Sequence, residues 1–159
     1  LKLGRKKFLT KIQKSFEDAG VSLVVLPYLK NSGINGAVKK IGSRLLLMVN
    51  DRRGYADTLW FTLFHGIGHV INKDYGISIA GESEEQADLF AKNMLIPKEQ
   101  YKDFINNNSR ITKESIKVFA DLIGRDPGIV LGRLLYDKII PYTEAKTFEE
   151  LRYKYRITN

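Results

Sequence analysis

The residues best suited to chemistry are His65 and His69, in the stretch TLWFTLFHGIGHVIN. They are the only two histidines among 159 residues. A spacing of four on a helix puts two side chains on one face, one turn apart. Two imidazoles placed so can grip one metal ion, as in the zinc motif H-E-x-x-H. Where that motif carries its glutamate, this chain has Gly66. Zinc in such a site acidifies a bound water and polarises a carbonyl, and the glutamate takes the water's proton. Glycine cannot take a proton, but the missing side chain is not a ligand either. These residues therefore predict one Zn2+ ion with weak or absent peptidase turnover. Gly66 would mark either a natural pseudo-peptidase or an inactivating substitution.

The third ligand is sought on a second helix, predicted over residues 84–95, with Ser83 as N-cap and Pro97 beyond its end. Glu84, Asp88 and Ala91 share one face at i, i+4 and i+7. Glu84 can complete the metal site. Asp88, one turn on, can accept a hydrogen bond from the free ring nitrogen of a ligating histidine. Ala91 is small and leaves room. Glu82 and Glu85 are the nearby carboxylates that would have to stand in for a general base.

Other elements must position these groups. The periodicity predicts an amphipathic helix over 6–19, with Phe8, Leu9, Ile12 and Phe16 as its stripe and Lys7, Lys11 and Lys14 outside it. A strand follows at 21–29, then a loop at Asn31-Ser32-Gly33. A hairpin pairs 36–41 with 44–49 through a type II′ turn at Gly42-Ser43. The run Leu45 to Met48 predicts a strand covered on both faces. Ala37-Val38-Lys39-Lys40 reads as an edge strand, which lysines protect and which can accept an extended peptide. The histidine helix is predicted over 55–72, its apolar face made by Trp60, Leu63, Phe64, Ile67, Val70 and Ile71, with both histidines nearly opposite. A loop is expected at 73–81 and a short helix at 98–107. Two more helices follow, one capped by Thr112 and one by Asp126 before Pro127. Ala120, Gly124 and Val130 fit a helix-turn-helix pattern, yet Leu131 and Gly132, expected to face outward, are poor base readers. The tail at 148–155 reads as a short helix or arm.

Composition narrows the classes. There is no cysteine, which excludes disulfides, thiolate metal sites and a cysteine nucleophile. No apolar run approaches a membrane span and no signal peptide is visible, so no membrane role and a cytoplasmic location are expected. The chain starts at Leu1 rather than Met, as a piece of a longer protein would. The net charge of +8 is uneven: +8 over residues 1–50, −3 over 51–109 and +3 over 110–159. The basic first third suits a solvated helix face, nucleic acid or an acidic partner.

FTLFHGIGHVIN followed by ESEEQADLFAKNMLIP resembles the ImmA/IrrE family of zinc metallopeptidase-like proteins. INGAVKKIGSRLLLMVN and IKVFADLIGRDPGIVLGRL are similar to the version found in helix-turn-helix regulators and antitoxins. The resemblance spans roughly residues 20 to 138. It implies an α+β fold, a small, mostly antiparallel sheet packed with helices as a minimal gluzincin-like core at 1–108, with a helical segment at 109–159. It implies His65, His69 and Glu84 as zinc ligands, Asp88 behind them, and Gly66 at the place of the catalytic glutamate. It further implies a regulatory hydrolase or pseudo-protease acting on a repressor or toxin, with any DNA contact through an upstream domain. The alternative is a non-enzymatic antitoxin or transcription-regulator module that uses the metal structurally, or binds a partner protein or DNA.

Overall fold

The computed structural model describes residues 5–28, 30–31, 34–75 and 82–155. Among these lie six α-helices, three strands and a C-terminal 3₁₀ helix, an α+β fold. The order is α1 (Arg5–Asp18), β1 (Val21–Leu26), β2 (Gly36–Ile41), β3 (Arg44–Asn50), α2 (Ala56–Ile71), α3 (Glu82–Leu95), α4 (Lys98–Asn107), α5 (Lys113–Leu122), α6 (Pro127–Tyr136) and the 3₁₀ helix (Tyr142–Leu151). The expected Leu29, Ser32, Gly33 and residues 76–81 of the expected loops lie outside the described residues, as do the Phe8 and Lys7 side chains. Pro27, which lacks an N–H, follows the end of β1.

The sheet order is β1-β3-β2, with β3 in the centre. β2 and β3 form the expected hairpin, and Gly42 takes φ 59° at its turn. β1, however, pairs with β3 in parallel, from Val21 beside Leu45 to Leu26 beside Asn50. One of the two pairings is therefore parallel and the other antiparallel, which makes a small mixed sheet within the expected α+β fold. The loop after β1 carries the chain past β3's place to the far edge, and the hairpin turn then folds β3 back beside β1.

Side chains alternate across a strand, and one face carries the core. Val21, Leu23, Val38, Leu47 and Val49 are buried there. α1 and α2 meet over that face, where Leu9 and Ile12 approach Leu59, Trp60 and Leu63 above Leu23, Val25 and Val49. Leu46 and Met48, on the opposite face, are only half-buried. The cover expected on both faces of β3 is thus complete on one among the described elements. Lys39 and Lys40 are exposed on the β2 edge, as expected.

α2 is enclosed on two sides, one toward the sheet and one toward α3. Trp60 and Leu63 are buried on the predicted apolar face, but Ile71 at its end is 57% exposed. α3 begins at Glu82, so Ser83 lies inside the helix instead of capping it. Thr112 caps α5 through a reciprocal capping box with Ser115. Asp126 makes no such side-chain bond; its own carbonyl already accepts the Ile129 N–H at 2.9 Å. In α6 Leu131 is fully buried, contrary to its expected outward position. The reason is that α6 packs against both α5 and α2 and has little free face.

The tail extends the expected arm upstream to Tyr142 and closes over the start of α2. Phe148 and Leu151 are buried. Lys154 bridges to Tyr55, and the Ala56 N–H donates to the Tyr153 carbonyl at 2.9 Å. Arg152 donates twice to Asp57, at 3.2 and 2.7 Å, in the first turn of α2. No helix among the described residues is long and apolar enough to cross a membrane.

Candidate metal centre

The helix spacing of His65 and His69 does what the sequence requires of it. Their Nε2 atoms lie 3.0 Å apart. Glu84 comes across from α3 with one oxygen for each ring: Oε2 is 3.1 Å from His65 Nε2 and Oε1 is 3.2 Å from His69 Nε2. The three side chains form a group able to hold a metal ion. A tetrahedral zinc with ligands about 2.0–2.1 Å away separates its donor atoms by roughly 3.3 Å, close to the spacing here. Three protein ligands also leave a fourth position for water or a carbonyl, the pattern of a catalytic rather than a closed structural site.

Close approach of α2 and α3 makes this possible. A Cβ on Gly68 would stand 2.9 Å from the Ala87 Cα and 3.2 Å from its Cβ. Ala87 and Ala91 are both fully buried in the same seam. Glycine on one helix and alanines on the other let the backbones come near enough for Glu84 and Asp88 to reach the histidines. The room expected at Ala91 is used for packing.

Each ring is aimed from behind. The His65 Nδ1–H donates to Asp88 Oδ1 at 2.8 Å, and the His69 Nδ1–H to Asp74 Oδ2 at 3.1 Å. An ionised carboxylate only accepts, so each Nδ1 carries a proton and both Nε2 atoms face the Glu84 carboxylate. Two ring nitrogens and a carboxylate that converge like this call for a cation among them, a proton or a metal ion, and the donor set suits a metal ion. The Tyr136 hydroxyl donates to the second Asp88 oxygen at 2.7 Å. Burial would lower the His65 imidazole, but the hydrogen bond and charge of Asp88, with Glu84, hold it above its ordinary 6.5. Asp88 moves the other way: burial would raise it, yet the bonds from His65 and Tyr136 and the charges of His65 and Lys92 bring it below the usual range. Tyr136 is pushed up to about 12, first by its bond to Asp88 and then by burial, and so stays a donor.

The structure therefore brings together His65, His69, Glu84 and Asp88 as read from sequence, and adds Asp74 and Tyr136. Asp74 lies in the turn after α2, where no helical period applies. Its signal was only a carboxylate five residues beyond His69. Tyr136 is 48 residues from Asp88 and carried no signal.

Gly66 is buried on α2. A Cβ there would lie 2.4 Å from Leu47 Cδ1, and Leu47, on the central strand, is 1% exposed. A leucine methyl thus fills the space into which a side chain at residue 66 would start. Of the two carboxylates considered as substitutes, Glu85 is on an exposed face of α3, and the Glu82 side chain lies outside the described residues.

A model of the IrrE N-terminal-like domain, the M78 peptidases, matches residues 16–121. The chain belongs to this family. The match takes in α2 and α3 with all three candidate ligands, Asp74 and Asp88, and stops short of Tyr136. A search of curated proteins finds no match.

Proposed function

We propose that this chain is a zinc-binding, peptidase-type regulatory domain that holds a segment of a protein partner, a repressor or a toxin, at its metal and cuts it slowly or not at all. The observation that carries this is the contrast between the two halves of the site. The ligand half is complete, with His65, His69 and Glu84 converging and each ring braced by a carboxylate. The proton-transfer half lacks a side chain at Gly66, and a Leu47 methyl packs where one would start.

Zinc bound there would supply Lewis acidity toward a carbonyl and a more acidic water. The chain's own residues bind and orient: Asp88 and Asp74 fix the ring tautomers, and Glu84 supplies the negative charge of the ligand set. The β2 edge lies against α2 through Gly36, where a Cβ would be 3.1 Å from the Thr62 Cγ2. An extended peptide added to that edge would run past the histidine helix. Without a general base, hydrolysis loses a factor of about 10²–10⁴.

The test is elemental analysis of protein purified without chelator or histidine tag. About one zinc per chain, lost in His65→Ala, is expected. Protein that takes up no zinc even when it is offered would overturn the proposal. The non-enzymatic regulator reading gains support if zinc is bound and no cleavage of any cognate partner occurs. Direct DNA reading by α6 is disfavoured by its buried faces.

A further inference from the structure

Beside the metal centre a second concavity of about 120 Å³ opens between α2, α3, α6 and the C-terminal segment. Phe61, Ile129 and Leu135 give it apolar walls. Tyr136, whose hydroxyl holds Asp88, is the wall it shares with the metal site. Pockets for cofactors and drug-sized ligands run to roughly 300–1,000 Å³, so this one has room for a single side chain.

Its charge selects which one. Four cations line it, Arg53, Lys92, Arg133 and Arg152, against one carboxylate, Asp57. Arg152 is paired with Asp57, and Arg133 with Asp137. Neither Arg53 nor Lys92 pairs with a carboxylate among the described residues. The Lys92 ammonium lies 4.0 Å from the centre of the Tyr136 ring. It reaches Asp88 only through space, and that carboxylate is already engaged by His65 and Tyr136. Two positive charges remain at the mouth of an apolar pocket. A carboxylate on a short hydrocarbon stem satisfies both features.

We propose that this pocket receives an acidic side chain, glutamate or aspartate, of the protein segment held at the metal. The proposal rests on the reading that such a segment is held there. It makes the pocket a reader of partner sequence next to the zinc ligands, using residues that are not ligands themselves.

The experiment titrates the 159-residue chain, with and without zinc, with N-acetyl-glutamate N-methylamide and with its glutamine counterpart, followed by amide NMR. The glutamate probe is expected to shift Gly132 and Tyr136 saturably, about tenfold more tightly than the glutamine probe, since a charge-assisted contact is lost in the latter. Arg53→Gln with Lys92→Gln, the first at an exposed and the second at a partly exposed position, should abolish that preference and leave zinc content unchanged. Equal response to the two probes would overturn the proposal. So would shifts confined to His65 and Glu84, or tighter binding of inorganic phosphate at the same residues. Zinc content and probe preference are independent readouts. Loss of the first alone sinks the metal reading, and loss of the second alone sinks the pocket.

Discussion

Adding a side chain at residue 66 should bring no stability to this core until Leu47 is made smaller. The Cβ of Gly66→Ala would stand 2.4 Å from Leu47 Cδ1, whereas carbon atoms in contact settle at about 3.5–4.0 Å. The leucine must give way by about 1 Å. It is fully buried on a strand paired on both sides, so the shift is shared with its neighbours. Overpacking of this kind costs about 1–3 kcal/mol. Replacing glycine by alanine inside a helix returns about 1 kcal/mol. Gly66→Ala should therefore be neutral to destabilising by up to about 2 kcal/mol. In a Leu47→Ala background the obstacle is gone, and the same change should stabilise by about 1 kcal/mol, although Leu47→Ala itself costs about 2–5 kcal/mol. Urea denaturation of the four metal-free proteins reads the coupling, expected at about 1–3 kcal/mol. Stabilisation by Gly66→Ala in the parent background would refute the reasoning, because it would mean the notch is open. The corollary concerns catalysis: Gly66→Glu alone should not create a peptidase, and any gain should require a smaller residue at 47 as well.

Three further outcomes are expected. Asp74→Asn and Asp88→Asn should each weaken zinc binding by about 10–100-fold, as measured by chelator competition, because each removes the negative charge that aims a ring and puts an amide donor in place of one oxygen; unchanged affinity in both would show that the charge of these carboxylates does not matter to the ligands. Gly68→Ala meets backbone rather than a flexible tip, so it should push α3 from α2 and lower both stability, by about 1–3 kcal/mol, and zinc affinity; a variant that keeps full affinity would contradict the tight seam. Burial holds the Tyr101 phenol above its ordinary value near 10, so the unfolded chain ionises first. That contribution is complete below about pH 10 and is lost as pH rises toward the folded value. Denaturation midpoints at pH 9 and 11 should differ less in Tyr101→Phe than in the parent.

What could be read from the sequence was local. His65 with His69, and Glu84 with Asp88, each share a helical face, and periodicity alone brings each pair together. The same reasoning delivered the hairpin and most helix limits within a residue or two. What escaped it depends on contacts between distant elements. Nothing in the Leu45–Met48 run says that Leu47 fills the notch at Gly66, or that β1 enters parallel to β3. Leu131 follows a helical pattern that α5 and α2 together override by burying both sides. Asp74 escaped because a turn has no period. Nothing in the sequence says that Gly68 meets Ala87, or what its missing side chain admits.

The clasp of the tail on α2 bears on how the metal site comes into being. Asp57 begins the turn of helix that leads to the histidines, and its partner Arg152 is 95 residues away. A buried carboxylate stripped of its cation is strongly destabilising, by about 3–5 kcal/mol. During synthesis the ligands are all exposed to solvent long before that cation is made, and contacts so far apart in sequence close late. The nascent chain would thus carry its histidines and glutamate on a helix that lacks its foundation, able to meet metal only loosely. Ordered binding would wait until Arg152 closes on Asp57, so that metal capture reports docking of the segment after α6 onto the histidine helix.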